Sequence, residues 1–338
     1  MYMHNSRKFK VWLVGGLTAL GVTAFYGYSV HAHVQYVIPR EALLSYRGSD
    51  TNFLFSQLQD PTSLAIILGG LVIGVILVAF LKKSIGFVRE ISFIREEAES
   101  YHDLIPWMIR LSLGIALIGA GIGGSLISPV VGATALESFL EILAGFLFLS
   151  GFLLFPACII SLALFSLMVG KDPLSFVGTL NVLALLIIFL IKGNPKPGVD
   201  AILGFPTFRG LLKFDSFSPL ILRVGTGVCF FSLALYEKLL NPHWSEYVVH
   251  LYNLQSIVPV SPAMWVLGAG VTELLLGILL ILGFQTRMVA AVSLIVLSLS
   301  FFFFKEQVYS HITLFGALSI LFVTGAARVS IDAHFRKR

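Results

Sequence analysis

The sequence predicts an all-α, polytopic transmembrane protein of about ten spans, with two tandem four-helix repeats behind an N-terminal helix pair. Three observations carry that reading. Hydrophobic residues make up 57% of the 338 and charged residues only 12%, with a mean hydropathy of +0.91; a soluble domain carries roughly 25% charge. Apolar runs long enough to cross a bilayer follow one another along almost the whole chain. Within them, a set of Arg, Glu, Gly and Pro residues recurs at fixed distances. Such a chain leaves little room for a soluble catalytic domain, so its chemistry belongs in the membrane or on a partner protein.

Residues 1–104 form the N-terminal part. The run from Val11 to Val30 follows Arg7, Lys8 and Lys10 and reads as a span with its amino end inside. The small residues around Val30-His31-Ala32 also fit a signal-peptidase site, so cleavage of residues 1–32 stays open. His33 to Thr62, broken by Pro39, Gly48 and Pro61, forms a short extracytoplasmic segment. Leu64 to Leu81 is the second span, with Gly70 and Gly74 at the spacing of closely packed helices. Lys82 to Asp103 carries four basic and five acidic residues with Phe87, Ile91 and Ile94 at helical spacing, the pattern of an amphipathic helix on the cytoplasmic face.

Two blocks of four apolar runs follow. The first repeat, 105–192, has runs near 105–127, 136–153, 156–170 and 174–191; the second, 219–338 with its basic tail, has runs near 219–238, 262–283, 287–304 and 309–325. Residues 193–218, rich in Gly and Pro, form a cytoplasmic linker. Pro106, Arg110, Gly114 and Pro129 match Pro219, Arg223, Gly227 and Pro242 at an offset of 113, and Glu141, Gly145, Gly151, Ser161 and Ser166 match Glu273, Gly277, Gly283, Ser293 and Ser298 at an offset of 132. The 19-residue difference falls in one loop, where insertions are tolerated. Four spans per block make the repeats parallel. With ten spans beginning inside, 16 Lys and Arg fall on inner segments and five on outer ones, which places both termini in the cytoplasm of a plasma (inner) membrane protein if the first span is retained.

The net charge of +5 then belongs with anionic lipid and gives no support to nucleic-acid binding. Cys158 and Cys229, 71 residues apart in apolar runs, make neither a disulfide scaffold nor a redox pair. No nucleotide, zinc-protease or acyl-transfer motif occurs. Ionisable groups inside spans are the candidates that remain. Glu273 lies near the middle of its run, Glu141 holds the matching place in the first block with Glu137 one turn earlier, and Arg110 and Arg223 each follow a span-opening proline by four residues. Each Arg is expected to pair with the Glu of its own block, either as a structural brace or as the lining of a polar pocket. Glu237-Lys238 and His311 add polar groups to the second block alone.

Only His311 among the histidines falls inside a span of the two blocks, too few imidazoles for a haem core. His31 and His33 form a weak copper motif without a third ligand. His243, Tyr247 and His250 share a helix face beside Trp244, a pattern of interface anchoring. Phe301 to Phe304 read as lipid-facing bulk that stacks a quinone only where a pocket opens beside them.

The stretch from Leu222-Arg223 through Tyr236-Glu237-Lys238-Leu239, then Val271-Thr272-Glu273-Leu274-Leu275-Leu276-Gly277, Leu282-Gly283-Phe284 and Thr286-Arg287, resembles the DoxX family of four-helix membrane proteins. In that family an early Arg opens the first helix, Glu-Lys closes it, and a Glu-x-x-x-Gly run ending in Gly and Thr-Arg marks the second. The first block resembles a diverged copy: Arg110, Glu141, Gly145 and Gly151 are retained, Ser125-Leu126 replaces Glu-Lys, and Phe155 stands near the Thr-Arg position. The resemblance implies a link to redox and sulfur chemistry, since family members include a membrane subunit of a thiosulfate:quinone oxidoreductase, and implies a redox partner protein. On that analogy Arg223, Glu237, Lys238 and Glu273, with Arg110 and Glu141 behind them, are candidates for a quinone or partner site.

The leading expectation is therefore a membrane component of a quinone-linked redox system that lacks its own redox centre, with Arg223 and Glu273 acting together on the quinone. A transporter of a small solute or ion built on Arg/Glu pairs, and a scaffold without chemistry, are the alternatives; oligomerisation is compatible with each.

Overall fold

In a computed structural model of the chain, the described residues are 50–65, 67–69, 72, 95–193, 198–205, 211–305, 308–326 and 329–335. The first expected span, most of the second, the start of the amphipathic segment, and His31 and His33 lie outside them. The chain is an all-α polytopic membrane protein. Each of the eight apolar runs from residue 105 onward falls on helix. Five helices among the described residues are long and apolar enough to cross a bilayer, with two shorter apolar ones beside them.

A short helix α1 (Thr51–Gln59) is capped by Asp50, whose carboxylate accepts from the Asn52 and Phe53 amides. The first block then comprises α2 (Ile105–Ile122), α3 (Ala135–Ser150), α4 (Leu154–Lys171), a single turn α5 (Ser175–Gly178) and α6 (Leu180–Lys192). Thr134 and Glu137 form a capping box that starts α3, and Gly151 ends it in the left-handed conformation, which costs a residue without Cβ nothing. A four-residue helix α7 (Val199–Ile202) follows. The second block comprises α8 (Ser218–Leu233), extended by a π-helical segment Ala234–Leu240, then α9 (Pro242–Leu251), α10 (Pro262–Leu282), α11 (Thr286–Phe304) and α12 (Val308–Thr324). A last short helix, α13 (Ile331–Phe335), lies in the tail.

One departure from helix is a small antiparallel hairpin of β1 (Ser125–Leu126) and β2 (Ser128–Gly132) between α2 and α3. Gly124 and Ile127 adopt positive φ there, and Pro129 ahead of two valines favours extended backbone.

Within each block the first and second helices cross on glycine. A Cβ on Gly145 would lie 2.7 Å from the Gly114 carbonyl, and one on Gly277 would lie 2.8 Å from the Gly227 carbonyl. Backbones this close are how helices pack in lipid, where little hydrophobic force acts between them. Across blocks, α2 packs on α12 and α6 on α8. Ser112 faces Gly316 in one of these contacts and Ala184 faces Gly225 in the other; these positions correspond at the same offsets, 113 and 132. One buried apolar cluster, from Ile105 and Leu113 through Leu185 and Phe189 to Leu222, Leu280 and Leu318, runs through both blocks. On α11, Ile295, Leu299 and Phe302 are exposed, one stripe of the outer helix facing the apolar solvent that a bilayer provides.

Candidate functional site

The buried charges form two groups at different depths, and the expected Arg/Glu pairing is not among them. Arg110, 1% exposed, donates from Nε to the Phe148 carbonyl at 2.8 Å and from Nη2 to the Leu149 carbonyl at 2.9 Å. Its guanidinium also lies 4.3 Å from the Trp107 ring centre. It therefore caps the carboxyl end of α3, while Glu141 sits seven to eight residues back along that helix, about 11 Å away at 1.5 Å per residue. Arg223 likewise lies against Gly283 at the carboxyl end of α10 and donates from Nη2 to the Val329 carbonyl at 2.6 Å. Glu273 is ten residues short of Gly283, about 15 Å. A span-opening Arg and a mid-span Glu on an antiparallel neighbour cannot meet, because the helices run past each other by a half-length.

The acidic partners of the arginines are two aspartates that sequence reasoning passed over. Asp200, on α7 within the expected linker, accepts from the Leu153 amide at 2.9 Å and the Leu154 amide at 3.4 Å. Asp332, on α13, accepts from the Gln285 amide at 2.7 Å and the Thr286 amide at 3.1 Å. Their own amides donate to the Gly151 and Gly283 carbonyls. Asp200 acts electrostatically on Arg110, and Asp332 on Arg223. Each aspartate thus caps the start of a long helix, α4 or α11, and sets its negative charge beside the arginine at the end of the long helix before it. The pair is 132 residues apart, the offset that already related Glu141 to Glu273, and extending that comparison past residue 166 would have found it.

Arg287 is a third residue of this kind. It donates to the Phe322 and Val323 carbonyls at the end of α12 and to Glu99 at 2.9 Å, so the segment before α2 is tied to the second block.

The other group lies deeper. Lys238 Nζ and Glu273 Oε2 are 2.6 Å apart, with 11% and 23% of their side chains exposed. Glu273 is the twelfth of 21 residues of α10, close to the middle of a span. Lys238 reaches it because the chain after α8 winds as a π-helix, a local widening frequent at functional sites. Asn241 donates to the Tyr236 carbonyl at 2.9 Å and Ser245 to the Glu237 carbonyl at 3.3 Å, satisfying oxygens that the wider turn leaves over. Gly270 lets the lysine stem pass, since a Cβ there would lie 3.1 Å from the Lys238 Cβ. Glu237 is fully buried, and both it and Glu273 act electrostatically on Cys229, so the two carboxylates and the lysine share one region of the second block.

In the first block the same place is closed. Glu141 is fully buried; its Oε1 accepts from the Ile127 amide at 2.6 Å, and its Oε2 has no partner among the described residues. His311 is buried on α12. Trp244 is buried as well, packed with Val248, Tyr236 and Tyr247, so it builds the interior and does not anchor the interface. His243 is exposed and lies 3.4 Å from Glu246 and 3.8 Å from Asp50. Phe302 is exposed, while Phe304 packs edge-on to Tyr252 at 4.8 Å between centroids.

A helical membrane protein with a Lys–Glu ion pair held at mid-span by a π-helical turn is the class these observations define. The DoxX family model matches residues 218–306, from the start of α8 through α11. That segment, which carries Arg223, Glu237, Lys238 and Glu273, is thus similar to the DoxX family. No curated protein and no solved structure matches the chain.

Proposed function

We propose that the protein is a membrane component of a quinone-linked redox system and that the Lys238–Glu273 pair is the place a quinone headgroup occupies. The observation that carries this is the placement of the pair: a charged donor and a carboxylate at mid-span, partly exposed at the surface of the helices. The surface beside it fits a flat ring. Ala269 and Thr272 on the same face of α10 are exposed, and a Cβ on Gly268 would meet nothing within 4 Å. A quinone supplies the electron-accepting carbonyls; the Lys238 ammonium donates to one of them, and Glu273 holds or releases the accompanying proton within hydrogen-bond reach. Electrons come from a partner protein, because the sequence has no cofactor motif and Cys158 and Cys229 are buried and free. Arg110 and Arg223 have no part in this reading; Arg110 caps α3, and Arg223 lies against Gly283 and bonds the Val329 carbonyl. The two blocks are on this proposal tandem copies of one unit in the plasma membrane, with both termini cytoplasmic.

The test is quinone content. Protein purified from native membrane in mild detergent should carry quinone, and Glu273→Gln and Lys238→Met variants that elute as monodisperse folded protein should lose most of it. Unchanged quinone content in both variants overturns the assignment.

A further inference from the structure

Two cavities lie in the seam between the blocks, apart from the Lys238–Glu273 site. One, of about 50 Å³, sits where α6 and α12 begin and is bordered by Ser125, Thr179, Asn181, Val182, Thr313 and Leu314. The other, of about 40 Å³, sits where the same helices end and is bordered by His102, Ile188, Lys192, Asp215, Ile320 and Thr324. Each has room for one or two water molecules.

Their borders pair by position. Asn181 and Thr313, Val182 and Leu314, Ile188 and Ile320, and Lys192 and Thr324 are each 132 residues apart, while His102 and Asp215 are 113 apart. The cavities therefore lie on the line about which the contacts of the two blocks correspond, one near each end of the helices. At the first, Asn181 Nδ2 donates to Thr313 Oγ1 at 3.0 Å, so the two equivalent residues bond to each other across that line. At the second, Lys192 pairs with Asp215 at 2.9 Å. From Val182 and Leu314 to Ile188 and Ile320 is a rise of six residue steps, about 9 Å of helix. The side chains of these stretches are apolar apart from the Ser319 hydroxyl on α12, and none is charged. Parallel repeats related by an axis along the membrane normal build their solute sites at this kind of interface.

We propose that this seam is a permeation path for small uncharged solutes that form hydrogen bonds, with the two cavities as its vestibules and the Val182/Leu314 to Ile188/Ile320 stretch as its gate. The chemistry selects the class. An ion would have to leave water for an apolar stretch that offers no countercharge, a prohibitive transfer. A neutral solute exchanges water for the Ser125 and Thr179 hydroxyls and the Asn181 amide, and loses little at the gate. The blocks touch beside the gate through small residues, Ala184 against Gly225 and Ser112 against Gly316, and the buried Val182, Leu314, Ile188 and Ile320 side chains are the ones that turn aside when it opens.

Water and urea are the probes, in proteoliposomes followed by stopped-flow light scattering. The wild type should exceed protein-free liposomes. Replacing Ile188→Ala together with Ile320→Ala should raise the permeability several-fold, and Asn181→Leu with Thr313→Leu should lower it toward the protein-free rate. Lys238→Met should leave permeability unchanged while altering quinone content, which separates failure of this path from failure of the redox reading. If the folded wild type and the widened variant are no faster than protein-free liposomes, or if all folded variants are equally fast, the seam is not a path.

Discussion

Removing the carboxylate of Asp332 isolates what holds the second block together at the end where the tail lies. Two amides at the start of α11, those of Gln285 and Thr286, donate to it at 2.7 and 3.1 Å, and Arg223 lies in its field. A lost helix cap costs about 0.5–2 kcal/mol, and a hydrogen bond to an ionised group is worth about 1.5–3 kcal/mol. These two figures describe the same contacts and do not add. Asp332 is only half-buried, so water can partly replace it. Asp332→Ala should therefore destabilise by about 2 kcal/mol, and Asp332→Asn, which keeps one acceptor oxygen, by about 1 kcal/mol. Asp200, 4% exposed with the same two-amide arrangement on Leu153 and Leu154, should cost about 3 kcal/mol as Asp200→Ala, since water cannot reach the freed amides or Arg110. The assay is reversible unfolding in mixed micelles with increasing SDS, read by circular dichroism. Losses below about 0.5 kcal/mol for both alanine variants would refute the capping role of the two aspartates, because surface polar substitutions alone stay within that range.

Three further outcomes follow from the same geometry. Gly145→Ala and Gly277→Ala, whose new methyls would meet backbone at 2.7 and 2.8 Å, should each cost about 1–3 kcal/mol by overpacking, while Gly268→Ala, with open space beside it, should be silent in the same unfolding assay. Lys238→Met and Glu273→Leu should each destabilise by about 2 kcal/mol, less than a fully enclosed pair, and the double variant should recover most of that loss, giving a coupling above about 1 kcal/mol in the cycle. Glu141→Gln, which keeps the oxygen that accepts from the Ile127 amide, should cost under about 1 kcal/mol, whereas Glu141→Ala should cost about 2–3 kcal/mol by orphaning that amide and leaving a cavity.

Composition and apolar spacing were enough to place the eight long apolar helices of the two blocks, though not α5 or α9, because a chain in lipid must satisfy its backbone within each helix. The glycines that touch across helix pairs were legible for the same reason: Gly145 and Gly277 had matching places, and only a small residue admits a neighbouring backbone. Partnerships between helices were not legible. Position along one helix gives depth but not which end of the neighbour lies at that depth, so Arg110 and Glu141 read as partners although one caps α3 and the other sits at its middle. The linker misled for a different reason. Its glycines and prolines announce irregular backbone, and irregular backbone can still carry a capping aspartate, which is what Asp200 does for α4. The hairpin at 125–132 and the π-turn at 234–240 escaped because each is an answer to local crowding at a helix end, with no periodicity to reveal it.

Those last two segments occupy corresponding places, and they decide how the blocks differ. Subtracting 113 from the π-helical residues 234–240 gives 121–127, where the first block leaves the helix for a hairpin. Continued winding carries Lys238 onto Glu273 and leaves the pair partly open. Leaving the helix puts a backbone amide, that of Ile127, on Glu141 and closes the carboxylate in completely. One change of backbone path thus converts a charged, accessible position into a neutral-partnered, enclosed one without moving the Arg, Gly and Asp residues that brace both blocks. The bracing residues recur at matching offsets in both blocks, whereas a mid-span Lys–Glu pair forms in the second alone among the described residues; the first block's pair, Lys171 with Glu137, lies at the start of α3.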